Sequence, residues 1–236
     1  NPGDTVSGPD PGDDELARVI ETALASGAFG VKILGGHYPL TPDATARVIS
    51  LAAARGCRCA VHAGTTATGS DIDGLEELVQ LAGEHPLHIA HVNSYCRGVT
   101  TGNPLAEASR ALAALARAPR AFSESYLATI NAANAAMDGA LPRSHVVRTC
   151  LERGGFAASR DGMEAAIAAG WARVHGPCAG ETVLLDTDAG LDRYRQQDTR
   201  VMVSFPVNDP GAAVALAVAR RSGTRDFAIP ALSTDG

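Results

Sequence analysis

Four residues that are far apart in this sequence have side chains that could bind metal ions together. Lys32 is the only lysine of the chain, which has nineteen arginines besides it. Arginine stays protonated, whereas the amine of a lysine in an apolar setting can lose its proton and react. His62, His91 and Asp235 supply two imidazoles and a carboxylate. We expect Lys32 to carry chemistry, and the alternative is a lysine on a solvated edge.

A regular alternation of strands and helices is expected to position these residues. Thr41 before Pro42, and Asp71 further along, are signals for helix starts. The lysine and the two histidines recur at intervals of about 30 residues, the length of one unit in an eight-fold (β/α) barrel. The carboxyl ends of barrel strands converge on one site, so these residues are expected to meet there. Strands are predicted over residues 28–34, 57–63, 87–92 and 121–126.

The composition is that of an ordinary globular protein and narrows the class of function. Hydrophobic residues make up 45% of the chain and charged residues 19%. The net charge of -6 and the lack of a basic cluster argue against a nucleic-acid partner. No apolar run predicts a membrane span, and five irregularly spaced cysteines favour free thiols and a cytoplasmic protein. A small-molecule substrate in a pocket is therefore expected.

The chain is expected to form an α/β domain with an insertion. Residues 1–13 are predicted as a loop, and residues 14–126 as the βα units that hold the lysine and both histidines. Residues 127–198 are predicted as a mostly helical insertion or lid, because the regular interval is lost there. Residues 199–236 are predicted as the last barrel unit, which ends at Asp235. Since five or six strands cannot close an eight-stranded barrel, the first strands and the C-terminal region are expected to be missing.

Four short segments resemble motifs of a known enzyme family. In their order and spacing they resemble the amidohydrolase superfamily, in particular its dihydroorotases, hydantoinases and allantoinases. The resemblance implies a TIM-type (β/α)8 metal-dependent hydrolase barrel, of which this chain holds a part. The matching segments are residues 30–33, 60–63, 89–94 and 229–236.

The resemblance also implies a role for each of the four residues. Lys32 would be carboxylated by carbon dioxide and bridge two divalent ions, with zinc expected first and manganese, iron or cobalt as alternatives. His62 and His91 would bind one ion, and Asp235 would bind the other and act as general base. A divalent ion lowers the pKa of bound water toward about 7 and polarises the amide carbonyl. The carboxylate would pass the proton of that water to the departing nitrogen.

Two departures from the family pattern leave the substrate open. The sequence contains no His-x-His pair, which holds the first metal in the family. Gly236 follows Asp235 as in the N-acyl-D-amino-acid deacylases (D-aminoacylases) of the same superfamily, whereas many dihydroorotases and hydantoinases have histidine there. The expected substrate is a cyclic amide or imide, or an N-acylated amino acid. A homo-oligomer, or a complex with a chain that supplies the missing strands, is expected.

Polar residues after the strands are expected to face the mouth of the barrel. Arg97 would suit a substrate carboxylate. His88 lies three residues before His91, and strand residues at this separation face opposite sides, so only one of them is expected to enter the site. His91 is preferred because it is nearer the end of the strand, with His88 as the alternative. The predicted substrate contacts are Asn93, Tyr95, Arg97 and His37, the last with an exposed loop histidine as the alternative.

The sequence supports three hypotheses of function. The leading one is a metal-dependent amidohydrolase that cleaves a carbon-nitrogen bond other than a peptide bond. The second is a non-catalytic amidohydrolase-like barrel that acts as an assembly scaffold, because the His-x-His pair is absent. The third is a barrel enzyme that uses Lys32 as a Schiff-base amine.

Overall fold

A computed structural model describes residues 5–219 and 230–232 of the chain, so Asp235 lies outside the described residues. The architecture is α/β, as expected, and it divides into two units. Unit 1 comprises Asn1–Ala128 and Asn208–Gly236, and unit 2 comprises Thr129–Val207. No helix within the described part of the chain combines the length and the apolar character that a membrane crossing requires.

Unit 1 alternates strands and helices in the order expected for parallel βα units. Elements are numbered along the whole chain. The strands of unit 1 are β1 (Gly30–Leu34), β2 (Arg58–His62), β3 (Leu87–Ile89), β4 (Ala121–Ser125) and β11 (Pro230–Leu232). Its helices are α1 (Asp13–Ala25), α2 (Pro42–Ala54), α3 (Ile72–Ala82), α4 (Pro104–Ala116) and α8 (Pro210–Ala219), and a 3₁₀ turn spans Val92–Tyr95.

Short polar side chains cap three helices of unit 1 at their first turns. The caps are Thr41 on α2, Asp71 on α3 and Asn103 on α4. Each accepts hydrogen bonds from backbone N–H groups of the first turn, which have no partner within the helix. The caps therefore fix the end of each loop that follows a strand. The candidate site lies at these loops.

The sheet of unit 1 has the strand order β1-β2-β3-β4-β11, and all its neighbouring strands are parallel. Alternate residues of β1 to β3 are buried in one core with apolar residues of the helices, as Val31 and Ile33 are on β1. The opposite face of the sheet, which we call the site face, carries Lys32, Ala60, His62 and His88. Five strands do not close an eight-stranded barrel within the described residues.

Unit 2 is a second α/β arrangement, in which strands accompany the helices over residues 127–198, where a mostly helical insertion was expected. Its main sheet has the antiparallel order β5-β10-β8-β9. Its strands are β5 (Asn131–Asn134), β6 (Met137–Asp138), β7 (Leu141–Pro142), β8 (Arg173–Cys178), β9 (Glu181–Leu184) and β10 (Met202–Phe205). Its helices are α5 (His145–Arg153), α6 (Arg160–Ala168) and α7 (Thr187–Gln196).

The strand β10 also corrects the predicted last barrel unit over residues 199–236. It pairs with β5 and β8 of unit 2, and the chain returns to unit 1 only after Val207. β5 consists of asparagine and alanine, which have low strand propensity, so its conformation depends on pairing with β10. A local pattern does not reveal a strand of that kind.

Candidate active site

Lys32 lies on the site face at the middle of β1, and the strand continues for two residues beyond it. Its register partner on β2 is Ala60, whose small side chain leaves room beside the lysine. Lys32 itself is exposed. Its positive charge acts on two imidazoles, because it contributes to lowering the pKa of His62 and of His88. Lys32 therefore lies on the same face of the sheet as His62 and His88, with its side chain exposed.

His62 is the last residue of β2, and protein atoms surround its ring although part of the residue is accessible to solvent. Its Nε2 atom lies 2.7 Å from Ser70 Oγ, at hydrogen-bonding distance. Burial lowers the pKa of His62 well below its ordinary value, and four nearby basic side chains lower it further: His91, Arg97, His37 and Lys32. The ring is therefore neutral at neutral pH, which is the form that binds metal ions.

His91 lies two residues beyond β3 and has a left-handed backbone, with φ 59° and ψ 48°. This conformation is uncommon for a residue with a side chain. The His91 N–H donates a 2.9 Å hydrogen bond to Oε1 of Glu124, on the neighbouring strand β4. Its ring centre lies 5.7 Å from that of His62. The two predicted metal-binding imidazoles are therefore neighbours.

The expectation that only one of His88 and His91 faces the site is wrong. His88 Nε2 lies 3.9 Å from Glu124 Oε1, and His91 Nδ1 lies 3.0 Å from the same oxygen. The alternation rule applies within an extended strand, but β3 ends at Ile89 and His91 has the left-handed conformation. That conformation breaks the alternation, so both rings reach one carboxylate.

Glu124 is a candidate functional residue that the sequence reasoning missed. It lies near the end of β4 and is 7% exposed. A carboxylate is rarely buried to this extent unless other groups pair with it. A glutamate inside an otherwise strand-like run, directly before Ser125 and Tyr126, was the available signal. Its position gives the site an acid among several basic groups.

Arg97 is a predicted substrate contact that lies near His62 and stays partly accessible. It is half-buried, and its Nε donates a 2.8 Å hydrogen bond to Asn208 Oδ1. The amide nitrogen of Asn208 donates to Tyr126 Oη at 3.3 Å and to the carbonyl oxygen of Ala128 at 3.1 Å. This chain of hydrogen bonds fixes the orientation of the guanidinium near His62.

Two other predicted substrate contacts are committed to the protein interior. Tyr95 is 1% exposed, and its hydroxyl bonds the backbone of Ala63 and Ala90. Burial raises the pKa of Tyr95, so its hydroxyl stays protonated and can donate. Asn93 is 1% exposed, and its Oδ1 accepts hydrogen bonds from Ser125 Oγ and the Tyr126 N–H. These contacts give both residues a structural role, and a substrate contact stays a prediction for each of them.

His37 lies in the loop after β1 and is partly exposed. Its ring centre is 6.5 Å from that of His62. It therefore lies at the border of the imidazole cluster, where a substrate contact remains a prediction. The predicted base, Asp235, falls in the part of the chain that the structure does not describe.

The described residues fit the metal site implied by the resemblance in part. Two imidazoles on one tetrahedral zinc ion, with Zn–N bonds of about 2 Å, have ring centres roughly 5 Å apart. The observed 5.7 Å is close to that separation. Because Ser70 occupies Nε2 of His62, a metal ion there would bind Nδ1 or displace the serine. Within residues 5–219 no three His, Cys, Asp or Glu residues form a metal-holding group, so the set depends on Lys32 and Asp235.

Comparisons with protein-family models, with curated proteins and with solved structures give no match to this chain. The likeness to amidohydrolases therefore rests on the four motifs. The geometry itself provides three neighbouring imidazoles and one buried carboxylate at the end of a parallel sheet, with a guanidinium nearby and an exposed amine on the same face of the sheet.

Proposed function

We propose that this chain is a metal-dependent amidohydrolase with part of a TIM-type barrel, which hydrolyses the carbon-nitrogen bond of an amide. The observation that supports it most is that the rings of His62 and His91 lie 5.7 Å apart, and that Lys32 lies on the same face of the sheet as His62, on the neighbouring parallel strand. Ligands are expected to converge at the carboxyl ends of such strands.

The group that would complete the site is a pair of divalent ions, with zinc expected first. Lys32 as a carbamate, His62, His91 and Asp235 would hold them. When bound, such ions lower the pKa of water and polarise the amide carbonyl. The exposure of Lys32 and the small Ala60 opposite it leave space for a carboxyl group on the amine.

The residues of the chain itself would bind the ions and move the proton. His62 needs no deprotonation to become a ligand, because burial keeps its pKa low. Asp235 would accept the proton of the attacking water and deliver it to the nitrogen that leaves, so that the products are a carboxylic acid and an amine.

The Arg97–Asn208 pair favours an N-acylated amino acid over a neutral cyclic imide as substrate. A guanidinium held by a fixed acceptor is suited to binding a carboxylate. The variants Arg97→Lys and Asn208→Ala should raise KM for N-acyl amino acids more than kcat falls. Turnover of an uncharged amide should change little in both variants. An equal loss for charged and uncharged substrates would argue against this substrate class.

The sequence offers an unusually direct test of the proposed function. Since Lys32 is the only lysine, a lysine carbamate can form at one position only. Protein prepared with zinc and ¹³C-bicarbonate should give a carbamate carbon signal in ¹³C NMR, and Lys32→Arg should abolish it. Amide hydrolysis should disappear in Lys32→Arg and Lys32→Ala. A wild-type protein without bound zinc and without the carbamate signal would refute the proposal.

The absence of a His-x-His pair favours a second candidate, a non-catalytic scaffold related to these enzymes. That candidate predicts no turnover by the purified protein or by any assembly with a partner chain. Amide hydrolysis that depends on Lys32 would exclude it. Borohydride trapping of a carbonyl compound on Lys32 would instead support Schiff-base chemistry.

A further inference from the structure

We propose that Glu124 is a positioning residue that sets the backbone and the ring of His91 for metal binding. The inference rests on the proposed function, because it gives His91 its task as a ligand. Glu124 was not among the residues implied by the family resemblance. Its assignment comes from contacts on β4 and after β3.

The first contact concerns the backbone of His91. Its left-handed conformation is disfavoured for residues that carry a Cβ atom. The N–H of His91 points to the side chain of Glu124, to which it donates a 2.9 Å hydrogen bond. A buried carboxylate thus stabilises the turn that carries the histidine out of its strand.

The second contact concerns the ring of His91. Nδ1 lies 3.0 Å from Glu124 Oε1, but it has no aligned hydrogen bond among the described residues. A metal ion at Nε2 would leave the proton on Nδ1, which then needs an acceptor. The separation already suits an N–H···O bond, so only the orientation of the ring has to change. A carboxylate in this place fixes the tautomer and strengthens the ligand.

The same oxygen lies further from the other nearby imidazole. His88 Nε2 is 3.9 Å away, beyond hydrogen-bonding distance, and the His88 backbone remains in β3. Glu124 therefore acts mainly on His91. Removal of its charge should lower the affinity for the metal ion bound by His91 and leave the fold of the sheet unchanged.

The experiment compares zinc affinity in Glu124→Gln, in Glu124→Asp and in a matched control, Glu107→Gln. Glu107 is a fully buried carboxylate that accepts hydrogen bonds from the N–H groups of Gly98, Thr100 and Thr101. Within the described residues its hydrogen bonds involve no imidazole. Competition with a chromophoric chelator measures the dissociation constants, and urea unfolding of the zinc-free proteins measures stability.

Glu124→Gln should weaken the binding of one of two zinc equivalents by about 10- to 100-fold. Its zinc-free unfolding midpoint should stay close to that of the wild type, because the amide oxygen still accepts the His91 N–H. Glu124→Asp should recover part of the affinity. Glu107→Gln should lower the midpoint and leave zinc affinity within about twofold, which shows that destabilisation alone does not weaken the site.

Zinc binding by Glu124→Gln as tight as that of the wild type would overturn the positioning role while the amidohydrolase proposal stands. A wild type that binds no zinc and shows no carbamate signal would refute both. If Glu124→Gln does not fold, the test uses Glu124→Asp and His91→Ala. Zinc affinities equal to that of the wild type in both variants would exclude the positioning role.

Discussion

Replacement of Tyr95 by phenylalanine should destabilise unit 1 strongly, although it removes a single oxygen atom. The hydroxyl accepts a 2.9 Å hydrogen bond from the Ala63 N–H and donates a 2.5 Å bond to the carbonyl oxygen of Ala90. All three residues are at most 1% exposed, so water cannot replace the hydroxyl. Each buried group left without a partner costs about 1–3 kcal/mol, so with two such groups the free energy of unfolding should fall by about 2–6 kcal/mol.

Urea unfolding followed by far-ultraviolet circular dichroism measures this loss. The midpoint should decrease by about 1–3 M, for a free energy that changes by about 2 kcal/mol per molar urea. Tyr38→Phe is the matched control, because Tyr38 is 42% exposed and its hydroxyl can bond water. Its effect should stay within about 0.5 kcal/mol. An equally small effect in Tyr95→Phe would refute the reasoning that the hydroxyl joins the ends of β2 and β3.

Three further predictions concern other parts of the chain. Cys178 is exposed, whereas burial raises the pKa of Cys59 to about 12, so a thiol reagent at about pH 8 should modify Cys178 in the folded protein and Cys59 only after unfolding. Peptide mass spectrometry checks this, and early labelling of Cys59 would contradict it. Burial lowers the pKa of His175, so the unfolded chain binds a proton more readily and stability decreases as the pH falls below about 6.5. His175→Gln should show a smaller decrease in urea titrations, and an unchanged profile would argue against the role of burial. Asp71→Ala should lower the free energy of unfolding by about 1 kcal/mol, because it removes the helix cap. Asp71→Asn should keep most of the wild-type free energy of unfolding, because asparagine can also cap a helix.

The local elements of unit 1 were predictable because their signals are local. Thr41 with Pro42 and Asp71 mark helix starts that the structure confirms to the residue. β1 and β2 fall inside the predicted strands, since their apolar residues alternate or run together between glycines. The α/β class followed from that order, whereas closure into a barrel stays part of the proposal.

The second unit was not predictable, because long-range pairing determines it. β5 has the sequence Asn-Ala-Ala-Asn, and nothing in those residues favours a strand until β10 pairs with them. The antiparallel sheet also pairs β5, which precedes the three helices of unit 2, with β10, which follows them. The interval of about 30 residues in unit 1 therefore gave no indication of this pairing.

The candidate site was predicted in its histidines but not in its acid. Strand spacing brought His62 and His91 together, as their ring distance shows. The link between His91 and Glu124 depends on one left-handed residue, and a histidine gives little indication of that conformation in a sequence. Tyr95 and Asn93 were placed by the rule that residues after strands face the mouth, whereas they turn into the core.

The hydrogen bond between Asn208 and Ala128 has a consequence for insertion and removal of unit 2. It joins the two points at which unit 1 is interrupted, at a distance of 3.1 Å. A segment whose entry and exit are adjacent can be gained, lost or exchanged as a cassette without disturbing its host. A variant in which a short turn replaces residues 129–207 would show what the cassette contributes to the stability of unit 1 and to the proposed hydrolysis.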